Sequence, residues 1–191
     1  MNKVTRYADI EFRSANEEER TVAGVAAVFN REQPMGWHIE SIDEHAFDEA
    51  DMSETILNLN HNDDIILAGV KNHSLQLEVS ERGLEMPSAR FVNTTQGRDT
   101  FTLVREGLID KMSFAFTIDE DEWTERDGKD FRIIKKVGKL FDVSLVAFPA
   151  YPQTSVGIRK ADEDDELVKK HLKWKEQEKK MEELLNGTGI K

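Results

Sequence analysis

The sequence predicts a mainly β fold with a few helices, of the α+β class, ending in a charged C-terminal helix. Two observations carry this. Residues 1–160 break into short apolar or alternating runs separated by Gly, Pro, Asn and Asp, the punctuation of strands and turns. At Ala161 the composition shifts to "DEDDELVKKHLKWKEQEKKMEELLNG", with acids first, lysines along the body and Gly187 as a stop. The chain therefore divides into a domain over residues 1–160 and a helical segment over 161–191.

Taken in order, "YADIEF" alternates as a strand does, and Thr21–Phe29, "TVAGVAAVF", is a nearly continuous apolar run of the kind covered on both faces. Gly24 and the alanines around it invite close approach of neighbouring elements. "REQPMGW" reads as a loop, and "DEHAFDEA" (Asp43 to Ala50) as a short helix capped by Asp43. "ETILNLNH" alternates up to His61, and "HNDD" turns the chain into "IILAGV". "SLQLEV", the turn "SERG" and "LEMPSARF" make a hairpin. A helix over Thr94 to Glu106 places Phe101, Val104 and Leu108 on one side, with Gly107 as its stop. In the strand "IDKMSFAF", Met112, Phe114 and Phe116 face one way, Ser113 and Ala115 the other. "DEDEWTERDGKD" reads as a polar connection. "FRIIKKV" and "KLFDVSLVAF" read as two further strands, the second stopped by Pro149 and carrying Asp142 and Ser144 on one face with Leu140 and Val146.

Composition narrows the function classes. With 38% hydrophobic residues among 191, the chain can bury a real core. The absence of cysteine excludes a disulfide framework, a thiol nucleophile and a thiolate metal site, and fits a reducing cytosol. No apolar run reaches membrane-spanning length and the N-terminus lacks a signal-peptide core, so a soluble protein without a membrane partner is expected. A net charge of −12 repels phosphate backbones and makes nucleic acid a poor partner. On the terminal helix Leu167, Trp174, Met181 and Leu185 form a thin apolar stripe. Such a stripe suits a partner helix; the alternative is a solvated helix lying on the domain.

Three residues stand out chemically. Ser113 is a lone hydroxyl on the small-residue face of a strand. His61 ends a strand at a tight polar turn, from which it could reach a neighbouring strand; a histidine there can equally just cap the turn. Asp142 sits inside a strand, where aspartate is disfavoured and a half-buried carboxylate needs a partner; an edge-strand acid that discourages strand addition is the bland alternative. His38, His45, His61 and His73 with Asp63 and Asp64 show no metal-ligand spacing, and no Gly-x-Ser-x-Gly elbow or phosphate-cradling loop is present.

Together "GVAAVFN", "ESIDEHAF", "LNLNHN", "GLIDKMSFAF" and "KLFDVSLVAFPAYPQTSV", in this order, resemble the prohead (capsid maturation) serine protease family of tailed bacteriophages, a family related to the herpesvirus assemblins. His45 stands where that family usually has glycine, Asn62 where it has aspartate, and Asp142 where it has glutamate. The resemblance implies a closed, barrel-like protease core as in the assemblins. It implies a serine endopeptidase with Ser113 as nucleophile, His61 as general base and Asp142 as the orienting acid, needing no cofactor and no metal. It further implies cleavage of scaffold and of the N-terminal segments of the major capsid protein, and possible self-cleavage. The place of action would be the assembling prohead in the host cytoplasm, or the bacterial cytoplasm for a prophage-encoded copy. The charged helix would serve scaffold-like assembly or self-association. A non-catalytic capsid-assembly module on the same fold is the alternative; a degenerate relative would be expected to lose Ser113 or His61, and both are present.

Overall fold

The computed structural model describes residues 3–8, 13–16, 20–147 and 166–187. The chain begins in a larger sheet with β1 (Val4–Ala8) and crosses to a smaller one with β2 (Arg13–Asn16) and β3 (Thr21–Val28). It returns with β4 (Gln33–Pro34), β5 (His38–Ile42), β6 (Ile56–Leu59) and β7 (Asn62–Gly69). The hairpin of β8 (Leu75–Ser80) and β9 (Gly83–Arg90) completes the smaller sheet. Helix α1 (Thr95–Arg105) leads to a long hairpin of β10 (Lys111–Arg126) and β11 (Lys129–Val146), and α2 (Glu166–Gly187) follows.

The larger sheet runs β1-β10-β11-β5-β4, with β6 also on β11 and β7 on β6; the smaller runs β2-β3-β9-β8. β11 is long enough for two parallel partners, β5 beside residues 130–134 and β6 beside residues 142–145. The expected closed barrel does not form among the described residues. A barrel needs each strand flanked on both sides in one continuous ladder. Here the larger sheet forks at β11 and ends on β1, β4 and β7, while β2-β3-β9-β8 is a separate sheet. One apolar cluster joins the two, with Val22, Ala27, Leu84 and Met86 from the smaller sheet and Leu57, Phe114, Phe116, Val143 and Leu145 from the larger. Phe47 fills the middle, its ring 6.2 Å from Phe114 and 5.9 Å from Phe29. Each such side chain contributes about 1.5–3 kcal/mol by leaving water.

Local chemistry accounts for most element ends. Thr94 caps α1 by accepting a hydrogen bond from the Gly97 amide at 3.0 Å, and Gly107 ends it at φ +72°. The helix stopping there leaves Leu108 66% exposed, and Ile109 takes the core position expected of it. At Gly83 a Cβ would meet the Ala27 carbonyl oxygen at 1.9 Å, so only glycine lets β9 approach β3 there.

Other readings are corrected. Asp43–Ala50 forms successive turns with i→i+3 bonds from Ala46, Asp48 and Ala50, because the Ala46 carbonyl accepts from Val137 of β11 and does not continue a helix. The polar "DEDEWTERDGKD" is strand, closed by Asp127 and Gly128 at φ +52° and +73°, the two-residue turn that Asp-Gly favours. The two strands expected beyond it are the single β11, interrupted by bulges near Gly138 and Phe141. These bulges return Leu140 to the core opposite Phe116 and off the face of Asp142. Asp9 to Phe12 of "YADIEF", and Pro149, lie outside the described residues.

Helix α2 lies against the tip of the β10–β11 hairpin, the second of the two arrangements its sequence allows. Val168 is buried, the His171 ring stacks on Trp123 at 3.8 Å, and the Lys175 ammonium is 2.9 Å from Glu125. Trp174 and Met181 remain exposed; the Leu167 and Leu185 side chains lie outside the described set.

Candidate active site

The register of three adjacent strands explains a serine in so apolar a segment. Ser113 of β10 is opposite Ser144 of β11, which is beside Asn58 of β6; in the next row Ala115 is opposite Asp142, which is beside Ile56. Cross-strand partners share a face. Ser113, Ser144 and Asp142 therefore stand together on the face turned away from Phe114, Val143 and Leu57, which enter the core.

His61 comes over that face from the turn joining β6 and β7. Leu59 pairs with Asn62, and the two residues between, Asn60 and His61, have φ +54° and +55°. Two left-handed residues in a two-residue loop make a type I′ turn. For a side chain as large as imidazole this backbone costs on the order of 1–2 kcal/mol, and it aims the ring back across the sheet.

The ring spans the other two predicted residues. Its Nδ1 lies 2.6 Å from Asp142 Oδ1 and its Nε2 lies 2.5 Å from Ser113 Oγ. A carboxylate can only accept, so the neutral ring carries its proton on Nδ1 and leaves Nε2 free to accept from the serine hydroxyl. The Arg6 carbonyl of β1, 2.8 Å from Ser113 Oγ, is an alternative acceptor for the same proton. Ser113 and Asp142 are buried, and the His61 side chain keeps 19% of its surface exposed. The second oxygen of Asp142 faces the Lys3 ammonium at 2.9 Å, so this buried carboxylate has a counter-charge besides the ring.

All three sequence-predicted residues are thus brought together, from segments far apart in the chain. The remaining histidines are elsewhere. His38 is buried on β5 between Trp37 and Trp123, His45 is exposed beside Asp48, His73 turns the chain between β7 and β8, and His171 is on α2. Asp63 accepts from the Asn58 amide at 3.2 Å. Among the described residues no group of three or more His, Cys, Asp or Glu is arranged to hold a metal ion.

Sequence reasoning missed the support of the site. The Arg6 guanidinium pairs with Glu40 of β5, one of its two contacts measuring 2.9 Å. Arg132 approaches the same carboxylate at 3.4 Å and reaches Asp121 at 2.8 Å. Burial alone would push the Glu40 carboxyl up; the Arg6 charge, aided by His38 and Arg132, overrides this and holds it well below the usual carboxylate range. The pair ties β1 to the sheet and so fixes the Arg6 carbonyl beside Ser113. No local pattern announces such a cluster, since its members are exposed-type residues scattered over four strands.

Residues 8–168 match the family model described as caudovirus prohead serine protease. No curated protein and no solved structure matches the chain.

Proposed function

The chain belongs to the caudovirus prohead serine protease family, and on that premise we propose that it cuts peptide bonds with Ser113, His61 and Asp142 as its catalytic group. Membership carries the general activity, a serine protease of capsid maturation. The observation that supports the residue roles is the linear arrangement Asp142–His61–Ser113, with both hydrogen bonds at 2.5–2.6 Å. In the first step His61 Nε2 takes the Ser113 proton as Oγ attacks the scissile carbonyl carbon. The resulting imidazolium is held by the Asp142 carboxylate through Nδ1–H. The proton then passes to the leaving amine, and water repeats the sequence to free the acyl group. The Ser113 hydroxyl has no exposed surface, so the substrate strand must displace what covers it before attack.

The substrates we assign are scaffold segments and the N-terminal segment of the major capsid protein, with cleavage of the chain itself as a further reaction. The setting is the interior of the assembling prohead. Co-expression with the cognate capsid protein and scaffold tests this, with intact masses compared between wild type and Ser113→Ala. Discrete truncations with the first and none with the second are expected. Equal processing by both removes Ser113 from the reaction.

A further inference from the structure

We infer that Ser144 is a positioning residue for the reaction, clamping the His61 backbone while Asp142 holds its ring. The inference rests on the catalytic reading above but on different contacts. A two-residue type I′ turn pairs its flanking residues and leaves the amides of both central residues without partners inside the turn. Strand β11 satisfies both. The Asn60 N–H donates to the Leu145 carbonyl at 2.9 Å, continuing the parallel ladder of β6 and β11. The His61 N–H donates to Ser144 Oγ at 2.8 Å, so this backbone amide is met by a side chain of β11. Ser144 is itself buried, and its hydroxyl can donate to the Asn58 carbonyl at 3.3 Å or the Leu145 carbonyl at 3.5 Å. That leaves the oxygen lone pairs to the histidine amide.

Asp142 and Ser144 are two residues apart on one strand and share one face. A single rigid element therefore grips His61 at two points, Nδ1 and the backbone amide. This matters because His61 holds a backbone conformation that side-chain-bearing residues disfavour. Without the Ser144 acceptor, the His61 amide loses its tie to β11 and the turn can relax toward ordinary φ. The imidazole would then swing off the Ser113–Asp142 line. A shift of about 1 Å in a reacting group costs on the order of 100-fold in rate, while groups that only bind substrate are untouched.

The variants Ser144→Thr and Ser144→Val test this as a matched pair. They have the same shape and differ in one hydroxyl, so any cost of the added methyl is common to both. Processing kinetics of a capsid-segment peptide should show Ser144→Thr keeping most of the wild-type kcat. Ser144→Val should lose roughly 30- to 100-fold in kcat with KM little changed. The second readout needs no activity: the ring proton on His61 Nδ1, bonded to Asp142, should give a low-field NMR signal in wild type and Ser144→Thr that broadens or disappears in Ser144→Val. Equal kcat and an equal His61 signal in the two variants overturn the positioning role. Wild type that cuts nothing yet shows the Ser144-dependent signal would count against the protease reading and leave the clamp standing.

Discussion

Asp142→Asn is the most exacting test of the site. The change is isosteric, and the contact it alters is the 2.6 Å approach of Asp142 Oδ1 to His61 Nδ1. An asparagine amide can donate to Nδ1, which moves the ring proton to Nε2, 2.5 Å from Ser113 Oγ. A protonated Nε2 cannot accept the serine proton, and no anion remains behind the imidazolium of the transition state. Loss of an orienting aspartate in this manner costs about 10⁴ in kcat, or about 5.4 kcal/mol at 1.36 kcal/mol per tenfold. Folding should survive, because Lys3, the other partner of Asp142, is 40% exposed and can turn its ammonium into water. Asp142→Glu keeps the acceptor and should fall between wild type and Asp142→Asn, its extra methylene having to fold back opposite Ala115. The assay is processing rate with thermal melting as a control. Activity of Asp142→Asn within tenfold of wild type would refute the orienting role.

Further outcomes are expected at four places in the structure. Ser113→Ala should abolish processing without lowering the melting temperature, since alanine fits the same buried face; residual cutting above a few per cent would contradict this. Glu40→Ala removes the carboxylate that faces the buried Arg6 and Arg132 guanidiniums, Arg132 keeping Asp121, and should cost about 3–5 kcal/mol in denaturant unfolding. Because the Glu40 pKa is depressed in the fold, its contribution is complete above the ordinary value of 4.5 and is lost as pH falls below it, so Glu40→Gln should flatten the acid limb of stability against pH. His171 is held below its ordinary 6.5 by burial against the tryptophans and by Lys175, against the pull of Asp130 and Asp121. Docking of α2 should therefore weaken as pH falls below about 6.5, seen as a change in tryptophan fluorescence that His171→Phe suppresses. Deleting residues 162–191 should leave a folded domain with a lower melting temperature, since Trp123 loses its cover, and should impair prohead incorporation; an unfolded product would make α2 part of the core.

By itself the sequence determined what local rules control: the strand-rich body, the α1 boundaries at Thr94 and Gly107, the β8–β9 hairpin and the charged terminal helix. It also singled out the three residues proposed for the site, because a lone serine on a small face, a histidine at a strand end and an aspartate inside a strand each break the local pattern, and the family resemblance joined them. Tertiary structure decided what those rules do not reach. Bulges near Gly138 and Phe141 set which residues of β11 share the face of Asp142, and a bulge is chosen by the partner strand and not by the bulged segment. The forking of the sheet at β11, in place of a closed barrel, depends on which strands that long element pairs with, a matter of competition among distant segments. The Arg6–Glu40–Arg132 cluster and the grip of Ser144 on His61 join residues 34 to 92 positions apart. A charge or hydroxyl looks the same in sequence whether it meets water or a buried partner, and only the packing of strands decides which.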